Sequence, residues 1–231
     1  MKYLKEILDW SEVWAPLIPL TILITRKQKT AWRKPLLSYL IITILISITA
    51  DILWKRRHLG IENWLQNNFS FLFEEDGLTL KNNLLYNLQS ICRFLLFSWF
   101  FNSMGKIFQK LNRILPAFFI LAAIVDFIFL EDIRDFSSRL FSLEAGLLLA
   151  YCIIYFFVVM KDEKGTSIFL RPPFWIVSGL SIYVAINFFI FLFYKLLSTN
   201  YVVFAFHLWD FHNISFIIFC GFLCIAFSKN E

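Results

Sequence analysis

The sequence predicts an all-α membrane protein, a bundle of seven transmembrane helices with its N-terminus outside and its C-terminus inside. Three observations predict it. Of the 231 residues, 59% are hydrophobic and 29 are Phe, and the mean hydropathy is +0.66. Only 17% are charged, against about 25% in soluble domains. Runs of roughly 18 or more mostly apolar residues recur seven times along the chain. A soluble domain of this length could not bury so much apolar surface, whereas lipid accepts it on every side of a helix.

Taken in order, the predicted spans are 8–25, 35–54, 83–104, 111–130, 138–160, 170–196 and 202–228, together forming one polytopic domain over 1–231. The first carries Glu12 near its start and Pro16 and Pro19 within it, which a membrane helix tolerates when neighbours satisfy the freed carbonyls. The only long connection, 55–82, reads as an interfacial loop or short helix with Trp64, Phe69, Phe71 and Phe73 towards the headgroups. The sixth span opens on RPPFW at 171–175, where prolines in the first turn forfeit no hydrogen bond and Trp175 suits the interface. The first residues, MKYLKEILDWSEVW, lack a small-residue cleavage site, so no cleaved signal peptide is expected. Cys92, Cys152, Cys220 and Cys224 lie in apolar runs, as packing residues do.

Orientation follows from counting Lys and Arg by side. The loops after spans one, three and five, with the C-terminus, hold 12, and the opposite side holds 9. The densest cluster, RKQKTAWRK, is in the first loop, whereas Glu74, Glu75, Asp76, Glu131, Asp132 and Asp135 fall on the other side. The first loop is therefore placed inside, against the contrary indication of Lys55, Arg56 and Arg57.

Charges within spans cost about 2.5–3.5 kcal/mol each on insertion scales, so they usually face a bundle interior or a wet cavity. Here they collect in the outer half. Asn83, Tyr86, Asn87, Ser90 and Arg93 form a helical stripe on span three. Glu144 lies two turns into span five, with Tyr151 two turns deeper on the same face. Tyr183 and Asn187 share a face of span six, and His207 and Asp210 share one of span seven. These observations predict an outward-facing polar cavity lined by Arg93, Glu144, Tyr86, Asn87, Tyr151, Tyr183, Asn187, His207 and Asp210, with Arg93 as the counter-charge of Glu144. Against it stands a structural reading, in which interhelical polar contacts hold the bundle together and Glu12, Asp51 and Asp126 meet water at span ends.

HLWDFHN at 207–213 invites a metal reading, but His207 and His212 stand about 140° apart around a helix, so both cannot reach one ion. Any metal would need His207, Asp210 and a third ligand such as Asp51; none is favoured, and no cofactor is implied. No phosphate-cradling loop, nucleophile elbow or appended catalytic domain is present, and the basic residues are loop charges beside lipid, without a platform for nucleic acid.

The runs NNLLYNLQSICRFLLFSWFF, FSSRLFSLEAGLLLAYCIIYFF, PPFWIVSGLSIYVAINFFIFLFYKLL and LWDFHNISFIIFCGFL together resemble an uncharacterised family of seven-span membrane proteins of Bacteroidota. The most specific parts are Ser142-Leu143-Glu144, Pro173-Phe174-Trp175 and the spacing of Tyr183 with Asn187. The resemblance covers spans three and five to seven and implies a bacterial inner-membrane location without supplying an activity. Its members look like the membrane halves of sensory proteins.

The leading expectation is a receptor-like module that takes a small ligand from the outer side and signals to a cytoplasmic partner. Two alternatives stand beside it: a membrane-embedded, metal-dependent lipid hydrolase using His207 and Asp210, and a small transporter or proton relay through Glu144 and Arg93. An enzyme is the less favoured class.

Overall fold

A computed structural model describes residues 2–26, 30–54, 68, 83–131, 136–161 and 167–229. Among these residues every regular element is helical. The chain runs through α1 (Lys2–Asp9), α2 (Ser11–Trp14), α3 (Leu17–Thr25), α4 (Arg33–Trp54), α5 (Asn83–Asn102), α6 (Lys106–Val125), α7 (Ser138–Met160), α8 (Pro172–Asn200) and α9 (Val202–Ser228). A π-helical turn, Asp126–Leu130, continues α6, and a short 3-10 turn, Ile168–Leu170, precedes α8. The interfacial segment expected within 55–82 lies outside the described residues except for Asn68.

Six helices, α4 to α9, are long and apolar enough to cross a bilayer, which makes the chain a multi-pass membrane protein. The expected first span is different. Trp10 leaves helical geometry with ψ 5°, which parts α1 from α2. Pro16 has no amide to donate, which parts α2 from α3. The apolar stretch Ser11–Thr25 has 15 residues, about 22 Å at 1.5 Å per residue, against a hydrocarbon thickness of about 30 Å.

The other boundaries have local causes. Ser137 caps α7, its hydroxyl accepting from the Leu140 amide at 3.1 Å. Pro172 and Pro173 begin α8, as the sequence leads one to expect. Gly105 turns α5 into α6 at φ 139°, a conformation side-chain-bearing residues rarely adopt. At the end of the bundle where α9 stops, the last carbonyls are met by arginine: Arg26 donates to the Ser228 carbonyl at 2.5 Å and Arg33 to the Leu23 carbonyl at 2.9 Å.

The bundle centres on α8, which packs along α7 on one side and α9 on the other. Gly179 permits this approach, since a Cβ there would stand 2.4 Å from Cβ of Phe222. Half of the core is a stack of Phe rings: Phe94 on Phe119 at 4.3 Å, Phe101 on Tyr151 at 4.9 Å and Phe97 on Tyr39 at 4.8 Å. The outer faces are also apolar. Ile114, Leu121, Ile128 and Phe129 of α6 and its π turn stand exposed, as do Phe157 and Phe189. Such continuous apolar exposure suits lipid, not water.

Candidate functional site

The site starts from one face of α5. Ser90 and Arg93 lie one turn apart and point inward towards Glu144 of α7. Arg93 grips the carboxylate with two parallel bonds, Nε to Oε1 at 2.5 Å and Nη2 to Oε2 at 2.7 Å. Ser90 Oγ donates to Oε2 at 2.6 Å, so Glu144 accepts three hydrogen bonds. Arg93 extends its remaining amino group to the Tyr183 hydroxyl at 3.0 Å. The guanidinium also lies beside the Phe141 and Tyr183 rings, 6.0 and 5.7 Å from their centroids. Glu144 is 1% exposed and Arg93 8%. A bidentate fork with satisfied neighbours is the arrangement in which a buried ion pair offsets its desolvation.

A second set adjoins the first through α8. The Asn187 amide donates to the Tyr183 carbonyl at 2.7 Å, and its own oxygen lies 2.5 Å from His212 Nδ1. The other ring nitrogen of His212 lies 3.2 Å from Oε1 of Glu12, and Ser47 Oγ is 3.4 Å from Oε2 of the same carboxylate. Residues from α2, α4, α5, α7, α8 and α9 therefore meet in one connected polar group.

Of the side chains expected in the cavity, Arg93, Glu144, Tyr183 and Asn187 come together. The others stand elsewhere. Asn87 accepts from the Ser137 amide at 3.4 Å, beside Asp126, whose Oδ2 accepts from the Ser137 hydroxyl at 2.5 Å. Tyr86 packs against the apolar cluster of Phe141, Ile190 and Phe191. Tyr151 points to the opposite half of the bundle, where it hydrogen-bonds Asn112, which in turn donates to the Ser98 carbonyl at 2.6 Å. His207 and Asp210 face outward at the start of α9, 3.6 Å apart, with the His207 side chain 66% exposed. Asp51 is half-buried near the far end of α4. No three His, Cys, Asp or Glu side chains among the described residues are placed to share a metal ion.

Glu12 and His212 are the members that sequence reasoning missed. Glu12 read as an end-of-span carboxylate. His212 was weighed only against His207. The structure supplies a contrast that the sequence lacks: His212, Phe216, Phe219, Cys220 and Leu223 recur at spacings of three and four, and all are buried. His207, Phe211, Ile214 and Ile218 mark the opposite, exposed face.

What the arrangement can do chemically is bounded by its closure. The guanidinium and carboxylate occupy each other, so any ligand must displace one partner. Leu148 and Phe97, both essentially without exposure, fill the turn between this group and the Tyr151–Asn112 pair. In comparisons with known proteins, no family model matches the chain, and neither a curated protein nor a solved structure is significantly similar to it.

Proposed function

We propose that the protein is a receptor-like or sensory membrane module that answers a small ligand from the outer side by parting Arg93 from Glu144, and passes the helix movement to a cytoplasmic partner. The observation that carries this reading is the bidentate Arg93–Glu144 pair, buried at membrane depth and joined to four further helical elements. Ionisable groups so placed are expensive and generally mark function. A group tied to six elements is also one whose opening must shift several helices together. Among the described residues the lipid hydrolase lacks a third metal ligand beside the exposed His207 and Asp210. A transmembrane relay lacks continuity across Leu148 and Phe97.

Seven crossings with the N-terminus outside belong to the same proposal. Glu12 meets His212 in the half opposite Ser228, while Arg26 at the end of α3 reaches the Ser228 carbonyl. The segment from α2 to α3 therefore runs from the level of His212 to the level of Ser228, which supports a seventh crossing. A bacterial inner-membrane location follows from the resemblance to the Bacteroidota family. Thermal-shift screening of the detergent-purified protein against small polar and amphipathic compounds tests the reading. The expected result is a compound that raises the wild-type melting temperature and leaves a folded Glu144→Gln variant unmoved. A variant that does not fold, with no stabilising compound for the wild type, assigns the pair to scaffolding.

A further inference from the structure

His212 sits in a setting that specifies its charge. Each ring nitrogen faces an oxygen: Nδ1 the Asn187 side-chain oxygen at 2.5 Å and Nε2 the Glu12 carboxylate at 3.2 Å. The Asn187 amide cannot be turned to offer its nitrogen instead, because that nitrogen is committed to the Tyr183 carbonyl at 2.7 Å. Neutral imidazole donates through one nitrogen only, so its other lone pair would point at an oxygen lone pair. With Glu12 ionised, both contacts are satisfied only when both nitrogens carry protons.

The walls agree. Trp209 stacks on the His212 ring at 4.9 Å and 26°, and the Tyr183 and Phe191 rings stand 5.8 and 5.7 Å away. One stacked and two inclined aromatic rings, beside two acceptors, suit a cation. The charges of the group also close. With Glu12 and Glu144 as two anions and Arg93 as one cation, an imidazolium at 212 brings the sum to zero, the same total as a proton held on Glu12 beside a neutral ring.

We infer that His212 is a proton-binding site, held as imidazolium, that fastens the N-terminal helical segment to the bundle through Glu12. The site stands independently of any ligand for the Arg93–Glu144 pair. Several elements pack against α9 here, among them α1, whose Lys5, Glu6 and Asp9 are exposed. Glu12 comes from α2, with Ser47 of α4 on its far oxygen and Asp51 a turn further along α4. Tyr183 and Asn187 come from α8. Arg93 of α5 lies behind Tyr183 and is held by Glu144 of α7, and Tyr86 of α5 packs in the adjoining apolar cluster. Trp209 belongs to His212's own helix, with Asp210 and His207 turned outward. Glu12 also meets Ser47 and feels the more distant charge of Arg93, but among the described residues His212 is the cationic side chain in direct contact with it.

Nitrogen-15 NMR of protein labelled only at histidine tests the protonation, since the chain has three His, at 58, 207 and 212. At pH 6.5 the signal absent from His212→Gln is expected to show two protonated nitrogens in the wild type and one in Glu12→Gln. A single protonated nitrogen in the folded wild type overturns the proposal. If His212→Gln does not fold, His58→Gln and His207→Gln assign the signal by elimination. The fastening is read separately by maleimide labelling of Ser11→Cys, a buried position on α2, after Cys92, Cys152, Cys220 and Cys224 are replaced by Ala. At constant pH, Glu12→Gln is expected to label about tenfold faster; equal rates overturn it. Should Glu12→Gln not fold, Asn187→Leu, which frees only Nδ1, serves the protonation comparison with one protonated nitrogen expected, and His212→Gln serves the labelling comparison.

Discussion

The same helices build two unlike halves. Near the Glu12 end, α5, α7, α8 and α9 contribute Arg93, Glu144, Tyr183 and His212, whose contacts are directional and mutually exclusive with any other register. Near the Ser228 end three of these helices, α5, α7 and α9, contribute Phe97, Phe101, Tyr151, Phe219 and Phe227, whose rings pack on one another and on Trp32 and Tyr39. Lipid is as apolar as Phe, so burial alone does not draw helices together in a membrane, and each half needs another source of cohesion. The aromatic half relies on shape and dispersion, which degrade gradually. The polar half relies on complete pairing, which fails when one partner is removed.

Thermal or denaturant unfolding in detergent turns this contrast into measurements. The largest loss is expected for Glu144→Ala, about 3–5 kcal/mol, because Arg93 is left charged and buried without a partner. Replacing Arg93 and Glu144 together by Leu should recover most of that loss, and a double variant as unstable as the single one breaks the comparison. Phe101→Ala should cost about 3 kcal/mol by opening a cavity between Phe108 and Tyr151. Gly179→Ala, which drives a methyl into Phe222, should cost about 1–3 kcal/mol and loosen α8 against α9. Tyr151→Phe removes only the hydrogen bond to Asn112 and should cost about 0.6 kcal/mol, the usual worth of such bonds between membrane helices. Leu121→Ala on the lipid face should stay within about 0.5 kcal/mol.

Much of the polar half was legible because charge is rare in these spans. Arg93 and Glu144 stand out in apolar surroundings, and no other mid-span charges were available to pair them. Tyr183 and Asn187 were legible from their spacing of four. Which face of α9 turns inward was not legible, because a helix apolar on every side carries no periodic contrast between protein and lipid. The choice of His207 over His212 followed from that. Glu12 escaped for a different reason. Its depth depended on treating 8–25 as one straight span, whereas the break at Pro16 makes the Glu12 turn a separate short element laid against α4 and α9. The Tyr151–Asn112 pair escaped because Asn112, near the start of α6, reads as an interfacial residue.

The Glu12–His212 contact joins residues 200 positions apart in the chain. During synthesis at roughly 5–20 residues per second, Glu12 is therefore made about 10–40 s before its partner exists. Arg93 waits a shorter interval, 51 residues, for Glu144. The N-terminal segment must pass that time at the bilayer surface or beside the insertion machinery. Only when α9 enters can it settle into the bundle, so a helix translated 200 residues later completes the first.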